Sequence, residues 1–278
     1  MRKLFLAIIV IAIGISACQK EIDWGKGQFA DQLLMKIRSL TGSDTTVINF
    51  TYDAQRRLIL ESTTGVSSGT SLNGTLRVNR NSAGIILTTT QISDLLVSAG
   101  VDSLVTTFYY NSANSKYTAA ASLLDIGGFT LTDSVVFVYD ATGKISSDKH
   151  LFVTGLISPF EALSNAYSYS STGSNLLSIV QSAPIAPGLP PVPVSTQTFN
   201  YDGKQSPLVL KNEAILLMRY NFFSANNNSK LDFVDQTDPT NNYNINSTYK
   251  YNFVSKPDSS TSTQSNTGAV TVSKYYYQ

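Results

Sequence analysis

The chain has one cysteine, one histidine and one tryptophan in 278 residues, and only 14% of it is charged, against about 25% in an ordinary soluble domain. A single cysteine excludes an intrachain disulfide, so a domain of this size has to be held by its core. The 20 Lys and Arg nearly balance 19 Asp and Glu, which excludes the strong basic field that steers nucleic acid or an anionic bilayer. Gly-rich phosphate loops and basic, aromatic-studded platforms for nucleic acid are missing as well. Solubility must therefore come from Ser, Thr, Asn and Gln.

The start of the chain supplies the first positive signal. Met1-Arg2-Lys3 is basic, residues 4–15 are apolar, and Ile15-Ser16-Ala17-Cys18 sets small residues before the thiol, a secretory pattern in charge, length and cleavage site. The apolar run is too short for an ordinary membrane helix. Ile15-Ser16-Ala17-Cys18 also resembles the lipobox of bacterial lipoproteins. That resemblance implies cleavage after residue 17, acylation of Cys18, and a mature chain hung from a bilayer by its acyl groups. Loss of Arg2 and Lys3 would take the net charge from +1 to −1.

A repeat follows. Phe50-Thr51-Tyr52-Asp53, Val78-Asn79-Arg80-Asn81, Phe108-Tyr109-Tyr110-Asn111, Phe137-Val138-Tyr139-Asp140, Tyr167-Ser168-Tyr169-Ser170, Phe199-Asn200-Tyr201-Asp202 and Tyr249-Lys250-Tyr251-Asn252 share one pattern. An aromatic or β-branched residue is followed at the third position by a residue that is usually Tyr, and then by Asp, Asn or Ser. The third positions step by 28, 30, 29, 30, 32 and 50 residues, the mark of a repeated supersecondary unit. In Tyr139-Asp140-Ala141-Thr142-Gly143-Lys144-Ile145, Asp140 can accept from backbone N–H groups at the start of a type I turn, and Gly143 supplies the left-handed residue that closes a bulged hairpin. Gly84, Asn114 and Gly173 hold the same offset; Arg56 would cost on the order of 1 kcal/mol there, so the first unit is expected to use another turn. Alternating apolar residues after the turns, such as Leu58 and Leu60 or Leu208 and Leu210, carry the period of a strand with one buried face.

Three segments open with Asp before Ser or Thr: Asp44-Thr45-Thr46, Asp102-Ser103-Leu104 and Asp133-Ser134-Val135. Each reads as a turn that starts a strand. They also resemble the O-glycosylation acceptor of exported Bacteroidota proteins, which implies Thr45, Ser103 and Ser134 as acceptors. The lipobox, the Gln19-Lys20-Glu21 after it, and the Tyr-x-Tyr-Asp hairpins together resemble uncharacterised envelope lipoproteins of Bacteroidota, and the hairpins are similar to degenerate Tyr-Asp (YD, Rhs-like) repeats. The resemblance implies an outer-membrane lipid anchor, with surface display as one of its two possible faces, and a hairpin architecture across the body of the chain. It brings no catalytic residues.

The organisation reads as a signal peptide over 1–17, a lipidated N-terminus and tether over 18–31, and a repeat-hairpin β domain over 32–278. Residues 32–40 suit a helix by Leu33, Leu34, Ile37 and Leu40 or a strand by Leu33, Met35 and Ile37, and the strand, paired with 47–52, is favoured. Residues 183–194 contain five prolines and read as an extended loop inside one long hairpin. Residues 221–246 break the repeat, and Asp232, Asp235 and Asp238 lack the alternating oxygen ligands and the glycine of a calcium loop.

Catalytic constellations are hard to assemble. His150 stands alone in a polar strand after the fourth turn, so neither a His-based zinc site nor a Cys/His pair can be built, and a Ser-His-Asp triad has poor prospects. No motif selects a carboxylate pair among Glu21, Glu61, Glu161, Glu213 and the many Asp. The remaining candidates are Tyr52, Tyr110, Tyr139, Tyr169, Tyr201 and Tyr251, which would form cross-strand ladders on one sheet face, packing in the core or stacking on a ligand. The expected fold is all-β, a single large antiparallel meander of repeated hairpins curled into a half-barrel, roll or open barrel. The expected role is non-catalytic: a lipid-anchored envelope protein, with no cofactor or metal, that binds a glycan or small molecule or serves as an interaction scaffold. A carrier shielding an acyl chain in a concave sheet is the alternative, and a glycoside hydrolase-type enzyme the third.

Overall fold

The computed structural model describes residues 32–278 except 68, 127, 128, 155, 156 and 187. The signal segment, Cys18 and the tether lie outside the described residues. The strands are β1 (Leu34–Thr41), β2 (Asp44–Tyr52), β3 (Leu58–Ser67), the two-residue β4 (Thr70–Ser71), β5 (Gly74–Arg80), β6 (Ile86–Ser93), β7 (Leu104–Asn111), β8 (Lys116–Ile126), β9 (Phe129–Tyr139) and β10 (Ile145–Thr154). They continue as β11 (Ile157–Tyr169), β12 (Leu176–Pro184), β13 (Pro191–Gln205), β14 (Asn226–Asp235), β15 (Tyr243–Tyr251), β16 (Pro257–Gln264) and β17 (Val270–Tyr277). Two short helices interrupt them, α1 (Asp94–Ser98) and α2 (Asn212–Leu216).

Each strand pairs antiparallel with its sequence neighbours, β3 passing over β4 to β5, and the ring closes where β17 pairs with β1. The result is a closed up-and-down barrel of 16 strands. This corrects the expectation of a half-barrel or open barrel. Closure removes both sheet edges, which a long open meander would leave as unpaired N–H and C=O groups. Period-2 sequence patterning predicts strands with one buried face, but it carries no signal for the pairing of first strand with last.

One end of the barrel carries the short turns after β2, β5, β7, β9, β11 and β15. Asp53 Oδ1 accepts from the backbone N–H groups of Gln55 and Arg57, both at 2.9 Å, and these bonds, that from Arg57 foremost, hold its carboxyl below the usual carboxylate range. Asp140 accepts likewise from Thr142 and Lys144, and Asn252 from Val254 and Lys256. Gly84, Gly143 and Gly173 are left-handed as expected. Arg56 is left-handed too, at φ +64°, so the first unit keeps the common turn at the cost of a strained residue. In the third unit the left-handed position falls on Ser115 rather than Asn114. The first hairpin expectation holds: β1 pairs with β2 through residues 42 and 43. The proline stretch is shorter as a loop than expected, because Pro184 and Pro191 pair across β12 and β13, and Pro193 sits at a register shift where a missing N–H is tolerated.

The core gathers at this turn end. Leu34, Phe50, Leu58, Ile86, Ile145 and Leu176, near the ends of their strands, are almost wholly buried, and each buried apolar side chain contributes roughly 1.5–3 kcal/mol. A 16-stranded ring is too wide for such side chains alone to fill, since barrels of that size ordinarily leave a channel. The gap is filled by the connection between β13 and β14. Residues 206–225 fold inward as α2 and a 3-10 turn (Tyr220–Phe222), burying Ala214, Ile215, Leu216, Leu217 and Phe223 in the same core.

Candidate functional site

The inward segment touches walls on several sides of the ring. Phe222 packs edge-on against Phe50 of β2 at 5.6 Å, Phe223 stacks on Tyr169 of β11 at 5.1 Å, and Asn212 Nδ2 donates to Gly143 O at 3.0 Å. Two Arg–Glu pairs fix it to β3 and β5. Arg80 grips Glu213 with both Nη atoms, at 2.7 and 2.8 Å, and its side chain is only 4% exposed. Arg219 meets Glu61 through Nε alone, at 2.9 and 3.0 Å. The segment is thus a plug. Its sequence signal was the last repeat step: the 50-residue interval is an ordinary unit of about 30 with residues 206–225 inserted.

Beyond the plug the barrel is hollow. A cavity of about 940 Å³ is lined by β1–β3 and β13–β17, with Met218, Arg219, Tyr220 and Phe222 of the plug at its floor. Its wall mixes Ser, Thr, Gln and Asn with the aliphatic Ile37, Ile48, Leu231 and Ile245, joined by Tyr249 and Tyr275, and Glu61 and Arg219 are the only charged side chains among its described lining residues. A second cavity of about 550 Å³ lies against β3, β5, β6 and the Thr70–Asn73 segment, and shares Glu61 and Arg219 with the first. Hydroxyls line the larger cavity in pairs across strands: Ser39 with Ser273 at 2.8 Å, Thr41 with Thr271 at 2.6 Å, and Ser247 with Ser262 at 2.8 Å.

The six tyrosines singled out from the sequence all lie at the turn end, and none lines the larger cavity. Tyr52 OH donates to Leu34 O at 2.7 Å, Tyr201 OH to Leu176 O at 2.5 Å, and Tyr169 OH to Ile145 O. Each thereby ties the end of one strand to the start of its neighbour. Tyr251 OH donates to Asp202, Tyr110 meets Tyr117 edge-on at 5.1 Å, and Tyr139 lies under the Lys116 ammonium at 4.8 Å. Burial pushes the Tyr139 and Tyr201 hydroxyls up to about 12. The rings that do reach the cavity, Tyr220, Tyr249 and Tyr275, belong to the plug and the last strands.

The polar strand around His150 also differs from its sequence reading. Lys149 is exposed, but Asp148 and His150 point inward and are buried. His150 Nδ1 lies 3.0 Å from Asp133 Oδ2, its Nε2 3.6 Å from Asp148 Oδ1, and Asp148 accepts from Asn165 at 2.8 Å and Tyr167 OH at 2.5 Å. Burial disfavours the charged imidazole, but the Asp133 hydrogen bond and the charges of Asp133 and Asp148 outweigh it, so the pKa sits above the ordinary 6.5. Burial raises that of Asp148, against the opposing hydrogen bonds of Tyr167 and Asn165. Both ring nitrogens face carboxylates, which leaves neither for a nucleophile.

Asp44 does open β2, and Asp102 precedes β7, as turn readings require. Asp133 instead lies inside β9, opposite Ser122, where its side chain is committed to His150. Thr45 and Ser134 are half-buried strand residues and Ser103 is a half-buried loop residue. Asp232 pairs with Lys230 at 2.8 Å. Asp235 and Asp238 hold turns: hydrogen bonds from Thr237 and Asn241 side chains lead in lowering the Asp235 pKa, and Asp238 caps the 3-10 turn at Pro239–Asn241. Among the described residues no group of three or more His, Cys, Asp or Glu could hold a metal ion.

No protein-family model matches the chain, and no curated protein matches it either. Solved structures do. A porin-like protein from Bacteroides uniformis superposes with a TM-score of 0.54 at 12% identity, over 88% of this chain and 98% of that one. A porin-like protein from Bacteroides vulgatus gives 0.55 at 14%, over 89% and 99%. This likeness establishes a shared barrel fold across nearly the full length of both neighbours.

Proposed function

We propose that this chain is a non-catalytic, lipid-anchored envelope protein whose barrel is a one-ended receptacle for a small polar ligand. The observation that carries the reading is the asymmetry of the lumen, with an apolar core and plug at one end and, beyond it, a large hollow whose lining sets hydroxyls and amides among a few aliphatic and tyrosine side chains. Ligand sites of this volume with a few fixed polar groups are the usual form of small-molecule pockets. The outer wall argues against a bilayer-spanning pore. Arg38, Arg77, Lys149 and Lys274 are exposed near the middle of β1, β5, β10 and β17, and a lipid-facing Arg or Lys at the bilayer midplane costs roughly 2–4 kcal/mol. Exposed apolar residues such as Val105, Leu123, Val136 and Val138 cluster on β7 to β9, but the charges on β1, β5, β10 and β17 interrupt any apolar band around the ring. An acyl carrier would pack on Ile37, Ile48, Leu231 and Ile245, but it fits less well along the hydroxyl pairs of β15, β16, β17 and β1, where hydrocarbon would strand the one free O–H of each pair at about 1–3 kcal/mol.

Two measurements test the two halves of this reading. Cys18→Ala should move the protein out of the detergent-soluble membrane fraction and leave the leader uncleaved; unchanged fractionation and unchanged N-terminal mass would sink the anchor. Met218→Trp places a bulky ring at the cavity floor and should weaken binding of a ligand seated on it while thermal melting stays cooperative. Native mass spectrometry of the gently purified protein separates the alternative, since a carrier would retain lipid.

A further inference from the structure

We infer that the larger cavity takes a neutral saccharide, bound along a lattice of paired hydroxyls on β15, β16, β17 and β1; this rests on the lumenal-binding reading above. Ser262 faces Thr271 across β16 and β17, so the pairs Ser247–Ser262 and Thr271–Thr41 form one continuous row across four strands. Ser273 and Ser39 make a parallel row one step along, Ser273 lying opposite Ser260. Neighbouring strands lie about 4.8 Å apart, so the rows present hydroxyls at a regular spacing along one wall.

The pairing decides the chemistry. When one hydroxyl of a pair donates to the other, the pair still offers one O–H donor and several lone pairs, and the direction can reverse. Each pair is therefore both donor and acceptor, as is a sugar hydroxyl. A carboxylate or sulfate would use the donors and leave the acceptors idle. The cavity's electrostatics point the same way, because the Arg219 guanidinium is already neutralised by Glu61 at 2.9 Å. Tyr249 and Tyr275, on β15 and β17 beside the rows, also line the cavity, and an aromatic ring is a ready partner for the C–H face of a pyranose.

The test is isothermal titration calorimetry on the full-chain protein in detergent with cellohexaose, maltohexaose and xylohexaose, and with hexagalacturonate and palmitate as comparators. A neutral oligosaccharide should bind, and the double variant Ser262→Ala, Thr271→Val should weaken it tenfold or more, while Leu40→Ala on the exposed outer face of β1 leaves it unchanged. Tight binding of hexagalacturonate or palmitate in preference to the neutral sugars, no binding by any neutral sugar, or equal binding by the double variant overturns the inference. Failure of the two readings is distinguishable: binding that survives the double variant but not Met218→Trp leaves the lumen as the site and removes only the hydroxyl lattice. Binding that survives both the double variant and Met218→Trp removes the lumen as the site.

Discussion

The two ends of this barrel are built from the same strands by different rules. At the turn end the inward positions are Leu, Ile, Phe and Tyr, and the hydroxyls of Tyr52, Tyr169, Tyr201 and Tyr277 close the wall against backbone carbonyls of neighbouring strands. A few residues further along the same strands the inward positions become Ser, Thr and Gln: Ile37 gives way to Ser39 and Thr41 on β1, and Tyr275 to Ser273 and Thr271 on β17. The first end is where burial stabilises the molecule. The second contributes little burial and keeps a hollow that a core would fill. The contrast shows how a ring too wide to pack can fold: the stability is concentrated at one end, and the rest is left for another use.

The largest test of that division compares the ends directly. Phe50→Ala removes a 1%-exposed ring that packs on the plug, and should lower the unfolding free energy by about 3–5 kcal/mol. Val272→Ala, exposed on the outer face of β17 toward the other end, should stay within about 0.5 kcal/mol. Similar losses in urea denaturation would mean that stability is spread evenly along the barrel.

Next comes the plug. Glu213→Ala strands the buried Arg80 guanidinium, which keeps only its bonds to the Gly84 and Leu58 carbonyls, and a loss of about 3 kcal/mol is expected. The plug would then loosen without opening the ring, so hydrogen exchange should accelerate at 210–224 more than in β15–β17. Uniform acceleration would show that plug and wall unfold as one unit.

Turn chemistry gives smaller effects of opposite sign. Arg56→Gly relieves a left-handed arginine and should stabilise by up to about 1 kcal/mol, whereas Gly143→Val, at φ +83°, should destabilise by about 1 kcal/mol or more. An unchanged midpoint in both variants would mean that the turn end does not depend on its hairpins.

Much of the turn end was legible in the sequence. The Tyr and Asp positions, the 30-residue step and the left-handed glycines each report a local constraint, and local constraints leave periodic traces. What escaped was set by long-range geometry. Ring closure depends on β17 meeting β1, more than 230 residues away in Ser39–Ser273, and no local pattern announces it. The plug left a trace only as a lengthened step between Tyr201 and Tyr251. The lumenal wall was hidden because Ser and Thr alternate on both faces of β16, where solvent and cavity ask for the same side chains. His150 was missed for a related reason, since Asp148 and His150 share an inward face that Lys149 between them conceals.

That network yields the smallest expected effect and the most specific one. The folded-state pKa of His150 lies above its unfolded value of about 6.5, so its protonation contributes stability that is fully present below that value and is lost as pH rises through the folded one. The raised pKa of Asp148 acts in the same sense, favouring the fold at lower pH and withdrawing as the carboxyl ionises. His150→Gln keeps a hydrogen-bonding side chain between Asp133 and Asp148 but cannot take up the proton. Wild type should therefore exceed the variant in thermal midpoint most at about pH 6, and the gap should narrow as pH is raised well above 6.5. Ligand binding should stay within about threefold in the variant, because His150 does not line either cavity. A gap that is constant with pH would show that the ring is neutral in the fold, held by Asp133 through a single N–H and contributing packing rather than charge.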